Sequence, residues 1–365
     1  MIENKFLKIL FYPIAFLYGI IISIRHKFYD FHIIKSYEFA DHIINVGNLS
    51  VGGVGKTPMV EYLTEFFLKN NYNVIVISRG YRRKLGGLTV VLPESSWEIA
   101  GDEPAQIKQK FPEAHVIVNS NRIEAIKYAK KHFFEKEKRN IIILDDAFQY
   151  RKITGTFNIL LIDINKMIAE DYYIPVGTLR DNPSQKKKAN IIIFTKCQKE
   201  LSSIEKRTYI NRLQLRTYQR PYFSKIIYKD LLPAFSNTYV LKLKNITSDY
   251  HILLVTAIAK PQYLISFLQN YTNNIIHIKY ADHYEFTEND FIEINNRFNK
   301  IKTPKRFILT TEKDYVRMKD SQGVELIKNY PVYYLPIKND FLTNEEKEMF
   351  NKQILAYVNK NFAIS

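Results

Sequence analysis

Ser50-Val51-Gly52-Gly53-Val54-Gly55-Lys56-Thr57 constrains this chain more than any other stretch of it. The apolar run His42-Ile43-Ile44-Asn45-Val46 precedes it and reads as a strand. Met59-Val60, Tyr62-Leu63 and Phe66-Phe67 follow at helical spacing. Strand, glycine-rich turn, Gly-Lys-Thr and helix together make a phosphate-binding loop. The glycines let backbone N–H groups close around phosphate oxygens, and the helix N-terminus adds partial positive charge. In such a loop Lys56 reaches the β- and γ-phosphates and the Thr57 hydroxyl is a ligand for Mg²⁺. The expected ligand is a nucleoside triphosphate, lined by the eight residues from Ser50 to Thr57. Ser50 stands where the first glycine of such a loop usually falls.

Downstream, short β-branched runs alternate with helical patterns, the signature of a parallel sheet covered on both faces. Val74-Ile75-Val76-Ile77, Val116-Ile117-Val118, Ile141-Ile142-Ile143-Leu144, Ile159-Leu160-Leu161-Ile162 and Ile191-Ile192-Ile193-Phe194 are the strand candidates. Residues 103–110 and 122–134 read as helices. Ligands of open α/β sheets sit beyond the carboxyl ends of the strands, so the residues after each run matter most.

Asp145-Asp146 follow one run, in the place of a Mg²⁺-bridging carboxylate. Two adjacent carboxylates at a strand end repel unless a cation joins them. Ser78-Arg79-Gly80-Tyr81 puts a cation after another strand. Asp102 and Glu103 open a helix, where acids are favoured by the helix dipole whether or not they face a site. Arg180 closes a loop ahead of the next strand, and Lys186-Lys187-Lys188 reads as a solvated run.

Residues 6–24 are almost wholly apolar, with Lys8 the sole charge, and Arg25-His26-Lys27 follow. The segment lacks a signal-peptide cleavage site. It reads as a membrane-associating helix, either spanning once or lying in the interface with its basic flank on anionic headgroups. The net charge of +16 suits such a surface or a phosphorylated substrate. No nucleic-acid motif is present, and nothing calls for an obligate protein partner. The single Cys197 excludes a disulfide framework.

From about residue 222 a second series begins. Tyr239-Val240-Leu241-Lys242-Leu243, Ile252-Leu253-Leu254-Val255, Ile275-Ile276-His277-Ile278, Phe307-Ile308-Leu309 and Val332-Tyr333-Tyr334-Leu335 read as strands, with helices at 262–269 and 287–298. The last strand but one runs into Thr310-Thr311-Glu312-Lys313-Asp314. Taken alone, Asp282-His283 reads as a surface loop.

Val46 through Pro58, Ser78-Arg79-Gly80-Tyr81, Gly101-Asp102-Glu103-Pro104, Leu144-Asp145-Asp146-Ala147-Phe148-Gln149, Pro175-Val176-Gly177-Thr178-Leu179-Arg180, Ala257-Ile258-Ala259-Lys260-Pro261, Asp282-His283 and Thr311-Glu312-Lys313-Asp314 follow one another along the chain. In this order the eight segments resemble the tetraacyldisaccharide 4′-kinase family of Gram-negative lipid A synthesis. The resemblance implies a P-loop NTPase-like α/β kinase domain over residues 31–221. It adds a smaller α/β domain over 222–365 that completes an interdomain site, and an N-terminal membrane helix over 1–30. It implies transfer of the γ-phosphoryl of MgATP to the 4′-hydroxyl of a tetraacyldisaccharide 1-phosphate at the cytoplasmic face of the inner membrane. Asp102 would be the base, paired with His283, and Lys56 would serve the phosphates. Thr57, Glu103, Asp145 and Asp146 would be the metal-side groups, and Arg79, Arg122 and Arg180 would lie near substrate phosphates. Ala147 and Tyr150 replace the family's usual Gly and His, so no histidine role carries to position 150.

Two other readings were open to the residues. A P-loop GTPase would need an aspartate after Thr195-Lys196, and Cys197-Gln198 stand there instead. A nucleotide-gated membrane scaffold would have no use for Asp102 beside a γ-phosphate.

Overall fold

The computed structural model describes residues 5–198, 200–235 and 239–360. The β-branched runs form strands because their stiff side chains pack well on a pleat buried between helical layers. In chain order they are β1 (Ile43–Gly47), β2 (Tyr72–Ser78), β3 (Thr89–Val91), β4 (His115–Val118), β5 (Arg139–Asp145), β6 (Phe157–Asp163), β7 (Ile191–Thr195) and β8 (Arg220–Tyr228). A separate series follows: β9 (Leu232–Pro233), β10 (His251–Thr256), β11 (Ile275–Lys279), β12 (Arg306–Thr311) and β13 (Val332–Leu335), after which β14 (Ile337–Phe341) closes the list. The helices that position the site are α1 (Lys5–Asp30), α2 (Lys56–Lys69), α3 (Asp102–Lys110), α4 (Arg122–His132), α5 (Ser203–Leu213), α6 (Gln262–Leu268), α7 (Glu288–Lys300), α8 (Glu312–Met318) and α9 (Asn344–Lys360).

The large sheet has nine strands in the order β14-β8-β7-β6-β1-β5-β2-β4-β3. The inner strands are parallel, and β3 and β14 run antiparallel at the two edges. β1 lies between β5 and β6, so the chain leaves it to build outward on both sides. That reversal opens a crevice at the carboxyl end of β1, where the glycine loop begins. Val60, Leu63 and Phe67 of α2 share one core with Phe350, Ile354 and Val358 of α9. Ala125, Ile126 and Ala129 of α4 cover the opposite face. A five-stranded sheet, ordered β9-β13-β12-β10-β11, forms the smaller domain.

The sheets divide the chain differently from the 221/222 boundary expected from the sequence. That boundary falls inside β8, which pairs with β7 in the large sheet. β14 pairs with β8, and α9 packs on the large-sheet core. The smaller domain is thus an insertion between two neighbouring strands. Burial explains the return: Phe341 and Phe350 are apolar surfaces that only the large core can cover. The strand expected at Tyr239–Leu243 is also absent, since Leu243–Asn245 is a turn of 3-10 helix. The Lys186-Lys187-Lys188 run ends a 3-10 helix, Pro183–Lys188, and burial pushes Lys188 down to about 7, so only part of it is solvated.

Where the domains meet, one ammonium serves two acids. Lys110 Nζ lies 2.7 Å from Glu61 Oε2 and 3.1 Å from Glu312 Oε2, and Gln106 Nε2 donates to Glu61 Oε1 at 2.7 Å. Burial pushes Glu61 up to about 7, with Lys110 opposing and Glu312 adding to the rise. An acid raised in the folded state binds a proton that the unfolded chain has already lost. Stability therefore falls as pH rises from about 4.5 to about 7. Glu61→Gln is expected to reduce the slope of the urea midpoint against pH across that window, and an unchanged slope would show that Glu61 is charged throughout.

Candidate active site

Gly55 caps α2 in the left-handed region (φ 91°), and Gly52 also has positive φ (106°). Side-chain-bearing residues rarely adopt either conformation, so these two positions need glycine. The first half of the loop is pinned from the side. The Val51 N–H donates to Thr178 O at 2.7 Å, the Arg180 N–H donates to Leu49 O at 2.9 Å, and Ser50 bridges to Leu179. Gly52 and Gly53 face open space, and a Cβ on either would meet nothing within 4 Å. Ser50 is buried against this bridge, which accounts for a non-glycine residue at the loop's first position.

Lys56 opens α2 and points back over the loop, with Nζ 3.3 Å from Asn48 Oδ1 and 3.7 Å from Asp146 Oδ2. Arg180 donates to both oxygens of Asp146 and, at 2.6 Å, to Asn48 Oδ1. The sequence grouped Asp146 with the metal-side acids. Its positive φ (51°) instead turns it onto Lys56 and Arg180, which supply the cations that an adjacent carboxylate pair requires.

Asp145 points the other way and is wholly buried. Ser78 Oγ donates to its Oδ2 at 3.0 Å, while Oδ1 has no hydrogen-bond partner. Burial, then the nearby charges of Glu103 and Asp146, push Asp145 up to about 7. Among the described residues no three His, Cys, Asp or Glu side chains converge as a ready-made metal cage. Mg²⁺ does not need one, since it is commonly held by one or two carboxylates together with phosphate oxygens and water. An orphaned, buried carboxylate oxygen with the Glu103 carboxylate nearby fits that chemistry.

Asp102 is the first residue of α3 and lies across the crevice. His283, on a loop of the smaller domain with φ 60°, donates from Nδ1 to Asp102 Oδ2 at 2.9 Å. The tautomer follows from the partners, because Lys313 Nζ donates to His283 Nε2 at 3.1 Å. Lys313 and Arg317 also approach Asp102 Oδ2, at 3.7 and 4.0 Å. Burial alone would raise the Asp102 pKa. The His283 hydrogen bond and the charges of Lys313 and Arg317 outweigh it and hold the acid down at about 2. Glu103 faces Lys313 at 3.8 Å, which joins this group to the Asp145 side. Asp282-His283 is thus a contact between domains and not an idle surface loop.

The three arginines differ in place. Arg79 is exposed and Arg180 is committed to the loop. Arg122 is buried at the start of α4 with its guanidinium over the Tyr150 ring. Burial lowers the Arg122 pKa while Asp145 and Asp146 oppose the fall. Sequence reasoning assigned no role to Asn48, Lys313 or Arg317. Asn48 and Lys313 sit inside quoted motifs, but Arg317 carried no signal, its spacing from Asp314 being ordinary on any helix.

A cationic edge suited to phosphates, beside a carboxylate of the large domain that the smaller domain's imidazole holds across the seam, suits transfer of a phosphoryl group to an alcohol. By fold and site the chain is a kinase. Its residues 7–359 match the family model described as Tetraacyldisaccharide-1-P 4′-kinase. It is similar to the tetraacyldisaccharide 4′-kinases of Phocaeicola vulgatus (41% identical, covering 98% of this chain and 96% of the relative) and Flavobacterium johnsoniae (39%, covering 98% and 99%). Its fold resembles the crystal structure of LpxK from Aquifex aeolicus in complex with ATP, with TM-score 0.70, 25% identity, and 96% and 99% of the two chains covered. The chain belongs to the tetraacyldisaccharide 1-phosphate 4′-kinase family. The motif resemblance is borne out, and with it the kinase activity and its place in lipid A biosynthesis.

Proposed function

We propose that the chain moves the γ-phosphoryl group of ATP onto the 4′-hydroxyl of a tetraacylated glucosamine disaccharide 1-phosphate at the cytoplasmic face of the bacterial inner membrane. The Asp102–His283 bond across the domain seam supports this reading, because a carboxylate of one domain held by an imidazole of the other would serve as a general base that both domains control. As the new O–P bond forms and the bond to the ADP leaving group breaks, Asp102 accepts the hydroxyl proton. Its low pKa is tolerable, since proton transfer comes late in phosphoryl transfer and positioning matters more than basicity. His283 orients the carboxylate, and Lys313 fixes the imidazole tautomer. The backbone amides of residues 51–57, with Lys56, would hold the β- and γ-phosphates. Arg79 has the exposure to meet a substrate phosphate, while Arg122 and Arg180 would add positive charge from behind. Thr57 and Asp145, with Glu103 close by, would hold Mg²⁺, which when bound neutralises charge on the β- and γ-oxygens.

The apolar helix α1 is long enough to cross a bilayer, yet its second half is tied to the protein. Tyr18, Arg25, His26 and Asp30 all bond to the large domain. Residues 6–17 are mostly exposed, with Tyr12 against the Tyr172 ring and Ala15 buried, and at about 1.5 Å each they span about 18 Å. The hydrocarbon core is about 30 Å thick. This supports an interfacial helix, with Phe6, Ile9, Leu10 and Phe16 in the acyl region. Removing residues 1–17 is expected to release the protein from membranes with its thermal midpoint nearly unchanged, as read by sedimentation with vesicles. Persistent sedimentation at high salt would show that another surface anchors it.

The reading is tested by incubating the protein with γ-labelled ATP, Mg²⁺ and the tetraacyldisaccharide 1-phosphate. A bis-phosphorylated lipid labelled at the 4′ position is expected. ATP hydrolysis to free phosphate, with no labelled lipid, would overturn it.

A further inference from the structure

Residues 171–182 form a strap with two bonded edges. One edge grips the phosphate loop: Thr178 O accepts from the Val51 N–H, the Arg180 N–H donates to Leu49 O, and the Arg180 side chain reaches Asn48 and Asp146. The other edge grips α1. Tyr18 Oη donates to Arg180 O at 2.9 Å, His26 Nε2 donates to Asp181 Oδ1 at 2.5 Å, and Asn182 Nδ2 donates to Ser23 Oγ at 3.3 Å. Gly19 lies so close that a Cβ there would sit 2.5 Å from the Tyr173 ring. His26 and Asp181 are both buried, although His26 lies on a helix whose remaining surface is mostly exposed and apolar. A helix needing only to attach the protein would have no reason to bury a histidine against the residue next to Arg180.

We infer that the strap couples membrane engagement of α1 to the phosphate loop, with His26–Asp181 and Tyr18–Arg180 as positioning contacts. The lipid bilayer then not only concentrates the enzyme beside its substrate but also sets the loop that receives ATP. The physical basis is linkage: a ligand at α1 that favours one arrangement of the strap must change affinity at the loop, and the reverse. The inference rests on the kinase reading only for the identity of the nucleotide.

The full-length protein is tested without substrate, with and without vesicles of phosphatidylethanolamine and phosphatidylglycerol. Hydrogen exchange at the Val51 and Arg180 amides, measured without nucleotide, is expected to slow on vesicle addition. ATP affinity is expected to rise about fivefold, near the low end of ordinary coupling strengths. In His26→Ala and in the milder Tyr18→Phe, vesicle binding should persist while both responses shrink. His26→Gln, whose amide nitrogen can stand where Nε2 does and still offer a donor to Asp181, should restore them. The inference is overturned if wild-type amides ignore vesicles, or if both responses survive in His26→Ala and Tyr18→Phe. It is also overturned if these variants lose vesicle binding in step with the responses, since the contacts would then serve attachment alone. Failure to bind ATP in any condition would strike the kinase reading instead, and the exchange data would still decide the coupling.

Discussion

Lys56→Ala is expected to lower phosphoryl transfer about 10³-fold or more while the chain stays folded. The Lys56 ammonium faces polar groups, Asn48 Oδ1 and Asp146 Oδ2. Its loss does not strand Asp146, which keeps Arg180, so neither a cavity nor an unpaired buried charge results. The charge is instead free to act on phosphates in a partly buried crevice, where removing one such stabilising group costs 10²–10³-fold or more. Steady-state kinetics and a thermal melt check both halves. Full activity in a well-folded Lys56→Ala protein would remove the phosphate role from this loop.

The second large effect is a failure of additivity. Asp102→Asn and His283→Ala should each lower kcat, Asp102→Asn by about 10²–10⁴-fold, the usual range for a general base. The double variant should be little worse than Asp102→Asn alone, because His283 acts on the reaction only through the carboxylate to which it donates. Asparagine is preferred to alanine at position 102, since Lys313 and Arg317 would otherwise face an empty site. Multiplicative losses, with ATP binding intact, would mean that His283 acts independently of Asp102.

Much of the large sheet was legible in the sequence. Fully buried parallel strands are continuous β-branched runs, and Ile141 to Leu144 or Ile191 to Phe194 have no other comfortable place. The glycine loop was legible for a related reason, as few other arrangements use that spacing between a strand and a helix. The return of β14 and α9 was not. Ile337–Phe341 carries lysine, asparagine and aspartate, since an edge strand needs only alternate apolar residues, and nothing local says which sheet it joins. The Asp145/Asp146 division was also hidden. Neighbouring identical residues differ only by a positive φ and by partners that arrive from Arg180 and Ser78. The His283 pairing came from resemblance, and local physics alone would have left it in a loop.

The insertion of the smaller domain between β8 and β14 has a consequence for synthesis. On the ribosome the chain emerges through β8 with that strand's outer edge unpaired, and the partner β14 lies beyond the entire second domain. Until then Tyr62 and Tyr222 also lack the Phe341 and Phe350 rings that later cover them. The nascent large domain therefore spends the time needed to translate about a hundred further residues with a sticky edge and an open core, the state most exposed to aggregation and to chaperones.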